Sequence, residues 1–165
     1  MTNQPMTGGP RAQPEQRAQT LKAQNLANRL VRGLLRTPLL CRAVGGRLVT
    51  LYVVGRKSGR RYTVPVAYTK ADGDLLIGTP FGWGRNLRTG EPLTIRLKGR
   101  LRQADVQVYS SEADVTRAYS VMVRDNGTFA KFNKISVDAA GQPDPDDLHR
   151  VWAEGARAFR LTPQR

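Results

Sequence analysis

A glycine-rich basic turn between two strand-like runs is the feature that most constrains the fold. Residues 48–54 (LVTLYVV) and 62–68 (YTVPVAY) are rich in β-branched and aromatic residues, a pattern typical of β strands. Between them, residues 55–61 (GRKSGRR) hold four cations, one hydroxyl and two glycines. Glycine permits the positive φ angles of a tight turn. The segment therefore predicts a β hairpin whose cations cluster at its tip.

Further short strands and two helices are predicted along the rest of the chain. The strands are placed at residues 47–54, 62–69, 75–79, 93–98, 101–109 and 158–161. One helix is predicted to run from a Ser111 cap to about residue 124, and another from about residue 146 to residue 155. Short, closely spaced strands favour an antiparallel barrel. We therefore expect an α+β fold of about six antiparallel strands with flanking helices.

The N-terminal part of the chain has a different composition. Residues 1–13 are polar and hold several Pro and Gly, which predicts a disordered tail, and residues 14–165 are expected to form one domain. Residues 14–36 predict an amphipathic helix with a basic face, which either packs on the domain or lies on an anionic membrane. No apolar run approaches the ~20 residues that span a bilayer. We expect a cytoplasmic monomer and leave peripheral membrane contact open.

The net charge of +14 is concentrated in the first two thirds of the chain. Cations outnumber acids seven to one in residues 1–42 and twelve to four in residues 43–110, and the two are equal in the remainder. Such a field attracts nucleic acid, anionic lipid or a polyanionic small molecule. Because the sequence has no recognisable nucleic-acid-binding motif, we do not expect nucleic acid as a partner.

Metal and triad chemistry have little support in the sequence. Cys41 is the only cysteine and His149 the only histidine, so an internal disulfide and a multi-histidine metal site are excluded. The carboxylates at positions 144, 146 and 147 are explained by a helix N-terminus, where negative charge is stabilising. We therefore predict no metal.

The basic turn has the chemistry of an anion-binding site. Glycines let the backbone approach a ligand closely, and successive N–H groups can bind a phosphate oxygen. The alternative is a hairpin tip that is basic only because it is solvated. A nucleotide-binding P-loop is ruled out, since that loop requires Gly before its Lys and a helix after it, whereas Arg56 precedes Lys57 and a strand follows.

Several short motifs follow the basic turn along the chain in a characteristic order. Residues 55–59 (GRKSG), 63–65 (TVP), 72–73 (DG) and Trp83-x-x-Asn86-Leu87 follow one another along the chain. In this order and spacing, residues 26–110 resemble the deazaflavin-dependent nitroreductase and quinone reductase family of actinobacteria. The resemblance implies a split β-barrel that binds coenzyme F420, with FMN as the alternative cofactor.

The resemblance also implies which residues bind the coenzyme. The phosphate and polyglutamate tail would be held by the basic turn, and the deazaflavin ring would be framed by the following strands and loop. The implied cofactor-binding residues are Gly55, Arg56, Lys57, Ser58, Gly59, Arg61, Thr63, Val64, Pro65, Gly78, Thr79, Trp83, Asn86 and Leu87. The negative charges of such a tail are complementary to the four cations of the turn.

An F420-dependent oxidoreductase that transfers a hydride to a small organic acceptor is the function that the resemblance implies. Phe129 and Phe132 stand where nitroimidazole-reducing relatives place tyrosines, so we expect an apolar substrate pocket and a quinone acceptor. Tyr68 and Tyr119 are the candidates for a proton donor, and neither is assigned. The alternative is a non-catalytic protein of the same fold that binds deazaflavin or a fatty acid.

Overall fold

The computed structural model describes residues 47–164. The predicted tail at 1–13, the amphipathic helix at 14–36 and Cys41 lie outside these residues. Seven strands form one antiparallel sheet: β1 Leu48–Val54, β2 Arg61–Ala67, β3 Thr69–Ala71, β4 Asp74–Thr79, β5 Leu93–Leu97, β6 Arg100–Tyr109 and β7 Arg157–Pro163. A 3₁₀ helix covers Gly82–Asn86, and three α helices follow: α1 Glu112–Asp125, α2 Gly127–Phe132 and α3 Pro145–Ala153.

The sheet is curled, because one run of chain supplies both of its outer strands. The strand order is β2-β1-β5-β6-β7-β4-β3, yet only Tyr68 separates β2 from β3 in sequence. The backbone N–H of Tyr68 donates to the carbonyl of Arg47 at 3.1 Å, and this hydrogen bond holds the chain in place between β2 and β3. The prediction of about six strands was therefore one strand too few. The single strand expected at 62–69 is divided into β2, which pairs with β1, and β3, which pairs with β4.

Two apolar clusters stabilise the sheet from its two faces. Strand residues point alternately to opposite faces, and one set fills the concave side. That barrel core contains Val49, Leu51, Val53, Tyr68, Leu75, Ile77, Leu93, Ile95, Val106, Phe159 and Leu161. The second cluster lies where α1, α2 and α3 cover Leu76 and Ala158, and we call it the helix-covered core.

The helix ends follow the sequence signals. Ser111 caps α1 as predicted, its hydroxyl accepting from the Asp114 N–H at 3.2 Å. Asp144 caps α3 by accepting from the N–H groups of Asp146 and Asp147, which confirms the helix-end explanation of the acidic cluster. None of the helices in residues 47–164 combines the length and apolar character needed to cross a membrane.

Candidate functional site

The basic turn between β1 and β2 is closed by its own hydrogen bonds. The Gly55 N–H donates to the Arg60 carbonyl at 2.8 Å, and the Gly59 N–H donates to the Gly55 carbonyl at 2.7 Å. The Arg60 N–H donates to Ser58 Oγ at 3.3 Å, and Gly59 has a φ of +64°, which favours glycine. Most of the amides expected to be available for an anion are therefore occupied within the turn or, as described next, by Asn86.

Arg56 joins the turn to the 3₁₀ helix. Its backbone N–H donates to Asn86 Oδ1 at 3.1 Å, and its Nε donates to the Asn86 carbonyl at 3.2 Å. Its Nη2 is 2.5 Å from the carboxylate of Glu91. The guanidinium of Arg56 thus has a carboxylate partner, and its expected role as a phosphate ligand stays a prediction. The structural effect of this arrangement is to bring the two predicted motifs into contact.

The remaining cations of the turn are exposed. Lys57, Arg60 and Arg61 form no salt bridge with another residue of the 47–164 range. The backbone N–H groups of Lys57 and Ser58 likewise donate to no group in that range. Three cations, two adjacent amides and the Ser58 hydroxyl are therefore available as hydrogen-bond donors at the tip of the hairpin, and we call them the donor set of the turn. Its electrostatic character suits an oxyanion.

A groove continues from the turn along the outer face of the sheet. It has a volume of about 560 Å³ and is lined by Tyr52, Val53, Val54, Arg61, Tyr62, Thr63, Thr94, Arg96 and Leu101. Pairing in register places Thr63 opposite Tyr52 and Pro65 opposite Thr50, so both are on the outer face, whereas Val64 packs against the barrel core. Arg96 Nε donates to the Tyr52 hydroxyl at 3.1 Å.

Two of the residues expected to frame a ring, Thr79 and Leu87, have buried side chains. Trp83 stacks on Phe159 with ring centroids 6.2 Å apart, and Leu87 is 6% exposed in the barrel core. Thr79 is also buried, and its Oγ1 accepts from the Phe81 N–H at 3.1 Å. These side-chain contacts hold the loop in place, and the expectation that the backbone here frames a ring stays a prediction. Asn86 is half-buried and has both Arg56 and the Trp83 carbonyl as partners.

The aromatic candidates divide between two places. Phe132, 53% exposed, makes an edge contact with Phe81 at 6.2 Å, beside the 3₁₀ helix. Phe129 instead packs on Tyr119 with ring centroids 5.1 Å apart. Tyr119 lies in the helix-covered core and Tyr68 in the barrel core, and both are buried. The structure therefore places neither candidate proton donor on an open surface.

Several contributors to the site carried little signal in the sequence. Glu91 forms an ion pair with Arg56, from which it is separated by 35 positions in the sequence, and no local sequence pattern predicts a pair so far apart. Tyr52, Thr94 and Arg96 of the groove lie on β1 and β5, where strand alternation could have identified them as outward-facing. Gly78 was expected to frame a ring of the coenzyme, but it lies beneath Tyr119 and Phe129.

Comparison with known proteins yields distant similarities in fold. No family model matches the chain, and no curated protein matches it either. A conserved hypothetical protein from Mycobacterium tuberculosis is 14% identical, with 74% of this chain and 76% of that one covered and a TM-score of 0.46. An F420-H2-dependent reductase is 11% identical, with 70% and 93% covered and a TM-score of 0.42.

A third solved structure is described as binding FAD. This protein from Mesorhizobium loti is 15% identical, with 78% of this chain and 91% of that one covered and a TM-score of 0.41. At these identities and scores, the neighbours do not define the activity of this chain.

Proposed function

We propose that the chain is an F420-dependent oxidoreductase with a split β-barrel, and that its acceptor is a quinone. The observation that carries this proposal is the Arg56 connection, which joins the basic turn to the loop carrying Trp83 and Asn86 while Lys57, Arg60 and Arg61 remain exposed. The family resemblance of residues 26–110 rests on the same two segments. Their direct contact in space supports that resemblance independently of sequence spacing.

The donor set of the turn fits the anionic part of the coenzyme. The coenzyme's tail carries a phosphodiester and several carboxylates, and Lys57, Arg60, Arg61, the Ser58 hydroxyl and two adjacent amides are available to bind them. A hydrogen bond to a charged group contributes about 1.5–3 kcal/mol, so a few such bonds give micromolar binding. The outer face of β2, with Thr63 and Pro65, continues from this set and would support the ring.

The chain's own residues bind and orient in this proposal. When bound, the reduced deazaflavin supplies a hydride, and a quinone that accepts it also takes up one proton to become a hydroquinone. The turn holds the tail, and the Arg56–Asn86 contact fixes the loop beside it. Phe132 provides exposed apolar surface beside Phe81, next to that loop, and Phe129 provides apolar surface against Tyr119. Such surfaces favour a flat lipophilic acceptor over one that needs donors for a developing charge.

Titration with oxidised F420, followed by its fluorescence, tests the cofactor assignment. We expect saturable binding that weakens as salt is raised, because the contacts are ionic, and weaker binding of FMN, which lacks the polyglutamate tail. Absence of F420 binding, or tighter binding of FMN, would contradict the proposal.

Anaerobic mixing with reduced F420 and menadione then separates an enzyme from a protein that only binds the coenzyme. An enzyme regenerates the oxidised chromophore, and a binding protein does not. We further expect catalytic efficiency with menadione to exceed that with a bicyclic nitroimidazole by at least about tenfold, since Phe129 and Phe132 themselves carry no hydroxyl to stabilise the charge that develops on a nitro group. Comparable efficiencies would contradict the apolar acceptor pocket.

A further inference from the structure

Tyr119 carries a buried hydroxyl without a hydrogen-bond partner. The residue is 1% exposed on α1, and its hydroxyl makes no hydrogen bond with any group of residues 47–164. Burial raises the pKa of Tyr119 well above its usual value, so the hydroxyl keeps its proton at neutral pH. An unpaired donor in a core lowers stability, and nearly all buried polar groups in proteins avoid that state. A hydrogen-bond acceptor that reached the Tyr119 hydroxyl would therefore be bound favourably.

The tip of the Tyr119 ring meets the Phe129 ring over a bare stretch of β4. A Cβ placed on Gly78 would lie 2.9 Å from Tyr119 Cζ, the carbon that bears the hydroxyl, and 2.8 Å from Phe129 Cζ. Both distances are below those that real Cβ atoms tolerate, so the rings occupy space that only glycine leaves open. The Phe129 ring therefore packs against the hydroxyl-bearing end of the Tyr119 ring over the backbone of Gly78, with ring centroids 5.1 Å apart. We call the space that the Phe129 ring occupies the slot.

The segment that carries Phe129 is shorter and less buried than the one that carries Tyr119. Tyr119 is central in the 14-residue α1, whereas Phe129 belongs to the six-residue α2. Among the residues of α2 only Ala130 is fully buried. Just beyond α2, Lys134 has a φ of +54°, a left-handed conformation that is unfavourable for lysine. Because Phe129 is only half-buried and Tyr119 is fully buried, moving the Phe129 ring out of the slot exposes less apolar surface than moving the Tyr119 ring would.

We propose that this slot, with Phe129 displaced, binds one ring of a planar aromatic quinone whose carbonyl oxygen accepts a hydrogen bond from the Tyr119 hydroxyl. The inference deepens the proposed function by locating the acceptor, and it rests on that function for the choice of a quinone. Phe129 then acts as an internal substitute for the ligand ring. The same hydroxyl that is unpaired in the closed slot is satisfied in the occupied one.

Equilibrium dialysis of the full chain without coenzyme tests the slot. The ligand is a dimethylnaphthoquinone whose substituted ring cannot alkylate Cys41, and dimethylnaphthalene is its oxygen-free counterpart. Phe129→Ala should bind the quinone about tenfold or more tightly than the wild type, because no buried ring has to be displaced. Phe129→Leu should show a smaller gain in the same direction and serves if the alanine variant does not fold. Val121→Ala, which trims an exposed side chain of α1, should leave binding unchanged.

Tyr119→Phe tests the hydrogen bond. Added to Phe129→Ala, it should weaken quinone binding about fivefold and leave naphthalene binding unchanged. Alone, it should preserve or raise the melting temperature, since it removes an unpaired buried hydroxyl. The inference is overturned if Phe129→Ala gains no more than Val121→Ala, if Tyr119→Phe affects both ligands equally, or if it lowers the melting temperature. The quinone-binding measurements contain no coenzyme, so their outcome does not depend on F420 binding. A failure to bind F420 would contradict the proposed function without changing the quinone affinities measured here.

Discussion

The basic turn and the helix-covered core satisfy their polar groups in opposite ways. In the turn, most backbone N–H groups are paired within the turn or with Asn86, and charged side chains, the Ser58 hydroxyl and two adjacent amides remain available as donors. In the helix-covered core, apolar side chains are closely packed, and the Tyr119 hydroxyl is the one buried side-chain polar group of residues 47–164 that has no hydrogen-bond partner in that range. A ligand of the turn is attracted by charge without rearrangement, whereas a ligand of the core has to displace a side chain. Binding at the turn should therefore be salt-sensitive, and binding at the core should not.

The largest expected effect tests how closely the core is packed. Gly78→Ala places a Cβ within 2.9 Å of both Phe129 and Tyr119, and should lower the free energy of unfolding by about 3 kcal/mol because two packed rings must shift. Gly82→Ala is the matched control: it has no atom within 4 Å of its added Cβ, and it should change stability by less than about 0.5 kcal/mol. Urea denaturation measures both. Equal effects would mean that the rings yield easily and that the two regions differ less than the packing suggests.

The second effect tests the exposed charge of the turn. Lys57→Ala should weaken F420 binding by about tenfold, the loss expected for one charge-assisted contact, with no measurable change in stability. Lys70→Ala removes the same charge from an exposed position on β3 and should leave the affinity near the wild-type value. Fluorescence titrations at low and high salt measure the difference. If the two variants bind F420 equally well, net charge rather than the turn attracts the coenzyme.

Local sequence patterns predicted most of the fold. Alternation and turn residues placed β1, β4, β5, β6 and β7 to within one or two residues, and the Ser111 cap placed the start of α1. The division at Tyr68 and the short α2 were missed. Both depend on tertiary contacts: the run from β2 to β3 divides because its two parts pair with different strands, and a six-residue helix is too short for a clear periodic signal.

The candidate site was less predictable than the fold. The cations of the turn are contiguous in sequence, so their clustering could be read directly, and their function as an anion site remains a prediction. Glu91 and Asn86 bind Arg56 from positions 35 and 30 residues away. The unpaired Tyr119 hydroxyl is defined by the absence of an acceptor within the 47–164 range, and no sequence pattern reports such an absence.

The third effect concerns the C-terminal end of α1, which anchors the helix-covered core to the sheet. Asp125 accepts from Arg47 Nη1 at 2.5 Å and from Thr69 Oγ1 at 2.8 Å. Desolvation raises the pKa of Asp125, but hydrogen bonds from Arg47 and Thr69 outweigh it, so the pKa lies below the usual value. A lowered folded pKa contributes stability that is present above the unfolded value and lost as pH falls through the folded one.

Asp125→Asn should accordingly cost about 1 kcal/mol of unfolding free energy at neutral pH, a modest amount because the pair is partly exposed. The difference from wild type should disappear as the pH is lowered below the folded pKa of Asp125. Asp72→Asn, at a side chain that is 90% exposed, should leave stability unchanged. Thermal melts of the three proteins across acidic pH measure this. A difference that persists in acid would assign the effect to packing instead of charge.

The smallest effect asks whether Arg56 belongs to the turn's charge or only to its scaffold. Glu91 neutralises Arg56 at 2.5 Å, so Glu91→Gln should leave the Asn86 contacts in place while restoring the positive potential beside Lys57. Because exposed ion pairs contribute only about 0.2–1 kcal/mol, F420 affinity should rise by no more than about threefold. Glu154→Gln removes the same charge beside Arg150 on α3 and should give no gain. A loss of affinity in Glu91→Gln would show that the Arg56–Glu91 pair positions the turn for its ligand. The contacts of Arg56 with Glu91 and Asn86, and not the exposed charge, would then be the feature that distinguishes the turn from the core.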